Sequence, residues 1–199
     1  MVAGGNGTSA EGVAGAAPAP DTPALLAALR FAAEKHKGQP RKGRDAAPYI
    51  NHPIAVAEIL ARYGCGGNLA LLQAAILHDT IEDTDTTGPE LEGAFGPAVR
   101  RLVEEVSDDK RLPKQERKRL QVEHAPHLSP EARQLKFADL ICNVRDITHD
   151  PPEDWPDERR RAYLHWARQV AEGCRGVNPA LEAELDAALA EGESVLREG

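Results

Sequence analysis

His78 and Asp79 stand side by side at the end of an apolar run, and Glu82, Asp83 and Asp85 follow within AAILHDTIEDTDTT, Ala74 to Thr87. Imidazole nitrogen and carboxylate oxygen together bind divalent cations, and this mixed donor set suits Mn²⁺, Fe²⁺ or Zn²⁺ better than Mg²⁺ or Ca²⁺. A cation also offsets the cost of burying several carboxylates. The plainer reading is a hydrogen-bonded histidine followed by a solvated acidic loop in which Asp83 and Asp85 cap the next turn. Partners elsewhere in the chain favour the metal. His52 stands 26 positions before His78 at another helix start, and Asp139, in LKFADLICNVRDI, shares an amphipathic helix with Leu135 and Cys142. An aspartate on the apolar face of a helix is costly unless paired or ligated. The chain thus offers four candidate ligands: His52, His78, Asp79 and Asp139.

The elements that must position these groups are helices. Among 199 residues only 4% are aromatic and 28% are charged, with Ala and Leu abundant, which predicts an all-α domain of ordinary size. In DTPALLAALRFAAEKHKG, Thr22 can cap a first helix, Pro23 suits its first turn and Gly38 its end, with Leu25, Leu26, Leu29, Phe31 and Ala33 as an apolar stripe. Pro53 disfavours helix at His52 and predicts a second helix over Ile54 to Tyr63. After the GCGGN break, Leu69 to His78 is apolar on nearly every side, as expected of a buried helix. Further helices are predicted around Glu90 to Phe95, Pro97 to Val106, Pro113 to His124, Pro130 to Ile147, Asp157 to Gly173 and Pro179 to Arg197. Met1 to Pro20 has almost no large apolar side chain and reads as a disordered tail, which leaves 21–199 as one domain.

Composition also excludes. A net charge of −8 argues against a general nucleic-acid binder, although a local basic cluster can hold a small anion. No apolar run is long enough to span a bilayer, and the N-terminus lacks a basic segment followed by a hydrophobic one. Cys65, Cys142 and Cys174 are odd in number, widely spaced and without a CxxC pair, so a reducing cytoplasm fits best. These features predict a soluble, unsecreted protein.

The order and spacing H…HD…D resembles the HD superfamily of metal-dependent phosphohydrolases. The words FAAEKHKGQPRKGRDAAPYINHP, AAILHDTIEDTDTT, RRLVEEVSDDK and LKFADLICNVRDI narrow the resemblance to the hydrolase domain of the Rel/Spo alarmone enzymes, and above all to their stand-alone small alarmone hydrolases, the metazoan Mesh type included. It runs from about Leu25 to Val177. The resemblance implies a compact multi-helix HD-domain fold and a Mn²⁺-dependent guanosine 3′,5′-bis(diphosphate) 3′-pyrophosphohydrolase, converting ppGpp or pppGpp to GDP or GTP and pyrophosphate. It assigns the metal to His52, His78, Asp79 and Asp139, and the catalytic acidic pair to Glu82 and Asp83. The chain also ends where a bifunctional relative begins its synthetase domain, so hydrolysis without synthesis is expected.

Substrate contacts follow by the same resemblance. Arg41 matches an arginine that stacks on guanine, with Lys42 beside it as a phosphate or base contact; unaided, RKGR reads more often as a solvated loop than as a site. Tyr49 either packs under the metal helix or touches the ribose. Asn143, one turn after Asp139, is implied as a sugar contact, its plain reading being a helix-surface amide. Lys114, Arg159 and Tyr163 match positions near the nucleotide, though exposed charges usually serve solubility. His36 reads as helix C-terminal capping. Trp155 and Trp166 read as anchors of the C-terminal helices. Leu140 departs from the family, which often has a basic residue directly after the last metal aspartate. A phosphatase acting on NADPH, or a sensor with an inert centre, are the alternatives.

Overall fold

Ten α-helices carry the computed structural model, which describes residues 21–43 and 46–198; the tail expected at Met1 to Pro20 lies outside the described residues. The helices are α1 (Thr22–Lys35), α2 (Asn51–Leu60), α3 (Leu69–Leu77), α4 (Thr80–Asp83), α5 (Gly88–Phe95), α6 (Pro97–Val106), α7 (Lys114–His124), α8 (Pro130–His149), α9 (Asp157–Cys174) and α10 (Pro179–Glu198). Among the described residues there is no strand, only an isolated bridge between Pro40 and Pro48. The all-α expectation holds.

Two helices form the centre. In α3 every residue from Leu71 to Leu77 is buried, and it packs against α1, α2, α6 and α8. A helix apolar all round must be surrounded, and this one is. Asn68 caps it by accepting from the Leu71 N–H at 3.1 Å. The longer α8 is capped by Ser129, which accepts from the Ala132 N–H at 3.2 Å, and it lies against α2, α6, α9 and α10. Against α8 and α9, α10 approaches so closely that a Cβ on Gly192 would stand 2.7 Å from Thr148 Oγ1 and 3.1 Å from Leu164 Cδ1. Leu181, Leu185 and Leu189 of α10 are fully buried.

Three local expectations need correction. Asp21, not Thr22, caps α1, accepting from the Ala24 N–H at 3.3 Å. Of the expected α1 stripe, Leu25, Leu29 and Phe31 pack against the core, but the fully buried residues are Ala28 and Ala32, small residues that admit close approach to α3, while Leu26 is 57% exposed and Ala33 is exposed too. The second helix begins at Asn51 and already contains His52, because Pro53 falls in the first turn, where a backbone N–H has no intrahelical acceptor to lose. It ends in a π-type turn, Ala61–Cys65, broken by Gly64 at φ +93°. A positive φ is costly for any residue with a Cβ, so glycine is favoured there.

Candidate metal centre and substrate cleft

Three helix segments converge on the metal candidates. His52 comes from the first turn of α2, His78 and Asp79 from the end of α3, and Asp139 from the middle of α8. His78 Nδ1 donates to the Ala75 carbonyl at 2.8 Å, which leaves Nε2 facing the carboxylates. Thr80 Oγ1 meanwhile donates to the Leu77 carbonyl at 2.6 Å and satisfies the buried helix end.

His52 Nε2 lies 3.2 Å from Asp139 Oδ1, and His78 Nε2 lies 3.0 Å from Asp79 Oδ2. The cross distances are 3.8 Å for His52 to Asp79 and 3.7 Å for His78 to Asp139. Ligand atoms of His52, His78 and Asp139 fall within 4.8 Å of one another, with Asp79 beside that group. The buried His78 Nε2 has no hydrogen-bond partner among the described residues. Burial disfavours charge on His78, yet Asp79 and Asp139 raise its pKa well above the imidazole range. Burial likewise opposes ionisation of Asp79 and Asp139, yet the imidazoles hold both below the carboxylate range. Such a nest of imidazole nitrogens and carboxylates calls for positive charge. Two nitrogens and two carboxylates are the donor set of a divalent transition metal, and the residues fit one.

Of the acidic pair, Glu82 points to the neighbouring loop: its Oε1 accepts from the Asp108 N–H at 2.5 Å. Burial pushes Glu82 up to about 7, partly countered by that hydrogen bond, with the Asp108 and Asp79 charges adding to the rise. Asp83 pairs with Lys110. The pair sits on α4, a single helical turn.

A cleft of about 900 Å³ opens above these groups and is lined by His52, His78, Asp79, Glu82, Asp83 and Asp139 at its floor. Arg41, Lys42, Tyr49, Asn143 and Tyr163 line its sides. Arg41 lies over the Tyr49 ring at 5.6 Å, donates to Asn143 Oδ1 at 3.0 Å and pairs with Asp146. Asn143 in turn donates to Asp139 Oδ1 at 2.6 Å, so it links the arginine to the metal candidate instead of being a helix-surface amide. Tyr49, which lines the cleft, also packs against His36 and His52, with its hydroxyl donating to Asp79. Lys114 and Arg159 lie not on this floor but on a side cleft of about 770 Å³ that shares Trp155, Tyr163 and Trp166 with the main one. Trp155 carries Arg159 at 4.2 Å and Lys114 at 5.8 Å, so it is a platform for cations more than a core anchor. Leu140 is 1% exposed and turned into the core, where a basic residue could not reach the cleft.

The sequence reading missed several residues here. Lys118, one turn after Lys114, hangs 4.5 Å over Trp166 and 4.9 Å over Tyr163. Burial, Lys114 and Arg159 push it down to about 8. Lys136, 8% exposed, lies 4.0 Å from Asp139 Oδ2. Its signal was present: a lysine three positions before Asp139 on an apolar face. Gln39 and Asp108 had none, because their partners are distant in sequence.

The HD domain family model matches residues 28–168. The chain is also 54% identical over 166 residues to guanosine-3′,5′-bis(diphosphate) 3′-pyrophosphohydrolase MESH1 of Xenopus tropicalis, an alignment covering 83% of this chain and 93% of that protein. This chain is an HD-domain protein of the MESH1 type. To human MESH1, identity of 55% extends over 161 residues, 81% of this chain and 90% of the relative. Among solved structures, a metazoan SpoT orthologue described as hydrolysing ppGpp, with a role in starvation responses, superposes with a TM-score of 0.82. Identity there is 44%, over 86% of this chain and 96% of the other. In this HD domain the histidine–aspartate doublet stands at the end of α3, buried throughout from Leu71 to Leu77.

Proposed function

We propose that this protein is a metal-dependent guanosine 3′,5′-bis(diphosphate) 3′-pyrophosphohydrolase, taking ppGpp or pppGpp and water to GDP or GTP and pyrophosphate, with residues 21–199 as one hydrolase domain. The observation that carries the reading is the meeting of two opposite charge fields in one cleft, an acidic floor under walls of arginine, lysine and aromatic rings. A nucleotide bearing two diphosphates needs both. The names of the MESH1 relatives support the same substrate class. Three unpaired, buried cysteines suit a reducing cytoplasm.

His52, His78, Asp79 and Asp139 are the residues that would hold the metal, for which we take Mn²⁺. When bound, the ion supplies positive charge that acidifies water and neutralises charge developing on the 3′-linked phosphoryl group. Glu82, once ionised, is the base that takes a proton from the attacking water, and the Asp108 N–H fixes its orientation. Asp83 orients the same water. Tyr49 steadies Asp79 from below. Arg41 offers its guanidinium face to guanine, and Asn143 holds that guanidinium in register with Asp139 while reaching the sugar. Lys42, Lys114, Arg159 and Tyr163 receive the remaining phosphates and the ribose.

Product analysis tests the reading. Mn²⁺-loaded protein incubated with ppGpp is expected to release GDP and intact pyrophosphate, with NADPH run alongside. Untouched ppGpp together with phosphate released from NADPH would transfer the assignment to a NADPH phosphatase. Tight ppGpp binding with neither substrate cleaved would make the protein a sensor.

A further inference from the structure

The acidic pair is steadied from outside its own helix. Glu82 and Asp83 end a four-residue turn, too short to be rigid alone. The Asp83 carbonyl accepts a hydrogen bond from Gln39 Nε2 at 2.9 Å, a contact that spans 44 positions of chain. The other end of that amide, Gln39 Oε1, lies 2.8 Å from His36 Nδ1. Because Nε2 is committed as the donor, Oε1 must accept, so His36 carries its proton on Nδ1. His36 is 3% exposed, and its ring packs at 4.7 Å on Tyr49, whose hydroxyl serves Asp79. Backbone bonds pin Gln39 on both sides: its N–H donates to the His36 carbonyl at 3.0 Å, and its carbonyl accepts from the Tyr49 N–H at 2.9 Å. Among the described residues His36 Nε2 is buried without a partner.

We infer that Gln39, oriented by His36, is a positioning residue for the acidic pair: it fixes the Asp83 peptide and with it the direction in which the Glu82 and Asp83 carboxylates face the cleft. The catalytic consequence rests on the hydrolase reading, whereas the bracket itself does not. A staple that merely stabilised the fold would lower the melting temperature without singling out turnover.

Gln39→Met keeps the length of the side chain and removes its amide. In the Mn²⁺-loaded full chain, kcat toward ppGpp is expected to fall about tenfold while KM and metal content stay within about twofold. The Asp83 and Thr84 amides, bonded to the Asp79 and Thr80 carbonyls, should exchange with deuterium about tenfold faster. His36→Phe keeps a ring against Tyr49 without the donor and should reproduce both effects. His36→Asn offers an amide N–H in place of Nδ1–H and should recover most of kcat. A Gln39→Met chain with native kcat and native exchange overturns the inference. So does a fall in kcat that comes with lost metal, or with a lower melting temperature and unchanged exchange. A wild-type chain inert toward ppGpp sinks the functional reading instead, and the exchange comparison still decides the bracket.

Discussion

The floor and the wall of the cleft obey opposite rules. On the floor, His52 and His78 are each only 5% exposed, sit at helix ends and face carboxylates within about one ligand shell. On the wall, Lys42, Lys114 and Arg159 are exposed, and the latter two lean on the Trp155 ring, with Asp154 at 3.5 Å from Arg159 as the one carboxylate against these three that lies within ion-pair distance among the described residues. Burial makes every unpaired group on the floor expensive, so its geometry is fixed before any ligand arrives. The three wall cations are held loosely by their long stems, whereas Arg41 is fixed by Asn143 and Asp146. Loss on the floor should therefore abolish chemistry, and loss on the wall should weaken binding by degrees.

The comparison breaks first at the metal ligands. His78→Ala and Asp139→Ala should lose the ion and lower turnover by about 10³-fold or more, the scale of several kcal/mol of charge stabilisation. Elemental analysis of purified variants checks this, and unchanged metal in both would remove them from the site. Chelation of wild-type protein should lower its melting temperature, since the ion binds only the native arrangement.

Glu82→Gln and Asp83→Asn come next. Each should retain metal while turnover drops about 10²-fold. The raised Glu82 sharpens the same point through pH: a base held near 7 is protonated and idle below that value, so kcat/KM should rise with pH along an acid limb at or below about 7, and the limb should vanish in Glu82→Gln. Stability runs the other way. A carboxyl raised above its unfolded value favours the fold most below the ordinary carboxylate range, and that contribution is lost as pH rises through about 7. Melting of chelated protein should show this, and Glu82→Gln should flatten it.

The wall gives the smallest effect. Arg41→Ala should raise KM about tenfold with metal content unchanged, the loss of a cation–π contact of roughly 1–2 kcal/mol. A drop in kcat with native KM would move Arg41 to the floor's side of the comparison.

How legible each region was follows from the same contrast. His78, Asp79 and Asp139 were readable because a polar residue on an apolar helix face demands a partner, and the demand is visible in one sequence. Arg41 and Lys114 were readable only through resemblance, since exposed cations look alike everywhere. Trp155 was read as a core anchor because aromatic type says nothing about which face meets solvent. Pro53 misled at His52 because a proline forbids helix before it in general but not in a first turn. Gln39 and Asp108 were invisible, their bonds joining segments whose proximity only the fold creates.

The near contact of Gly192 with Thr148 bears on where this protein can be cut. The family match stops at residue 168, yet α10, beyond it, lies flush on α8, the helix that carries Asp139. Leu181, Leu185 and Leu189 bury themselves there completely, at roughly 1.5–3 kcal/mol each. A fragment trimmed to the shared segment would strip that cover and leave the back of α8 wet. The segment spanned by the family model is therefore smaller than the unit that folds, and a tag or fusion at the C-terminal side belongs after α10.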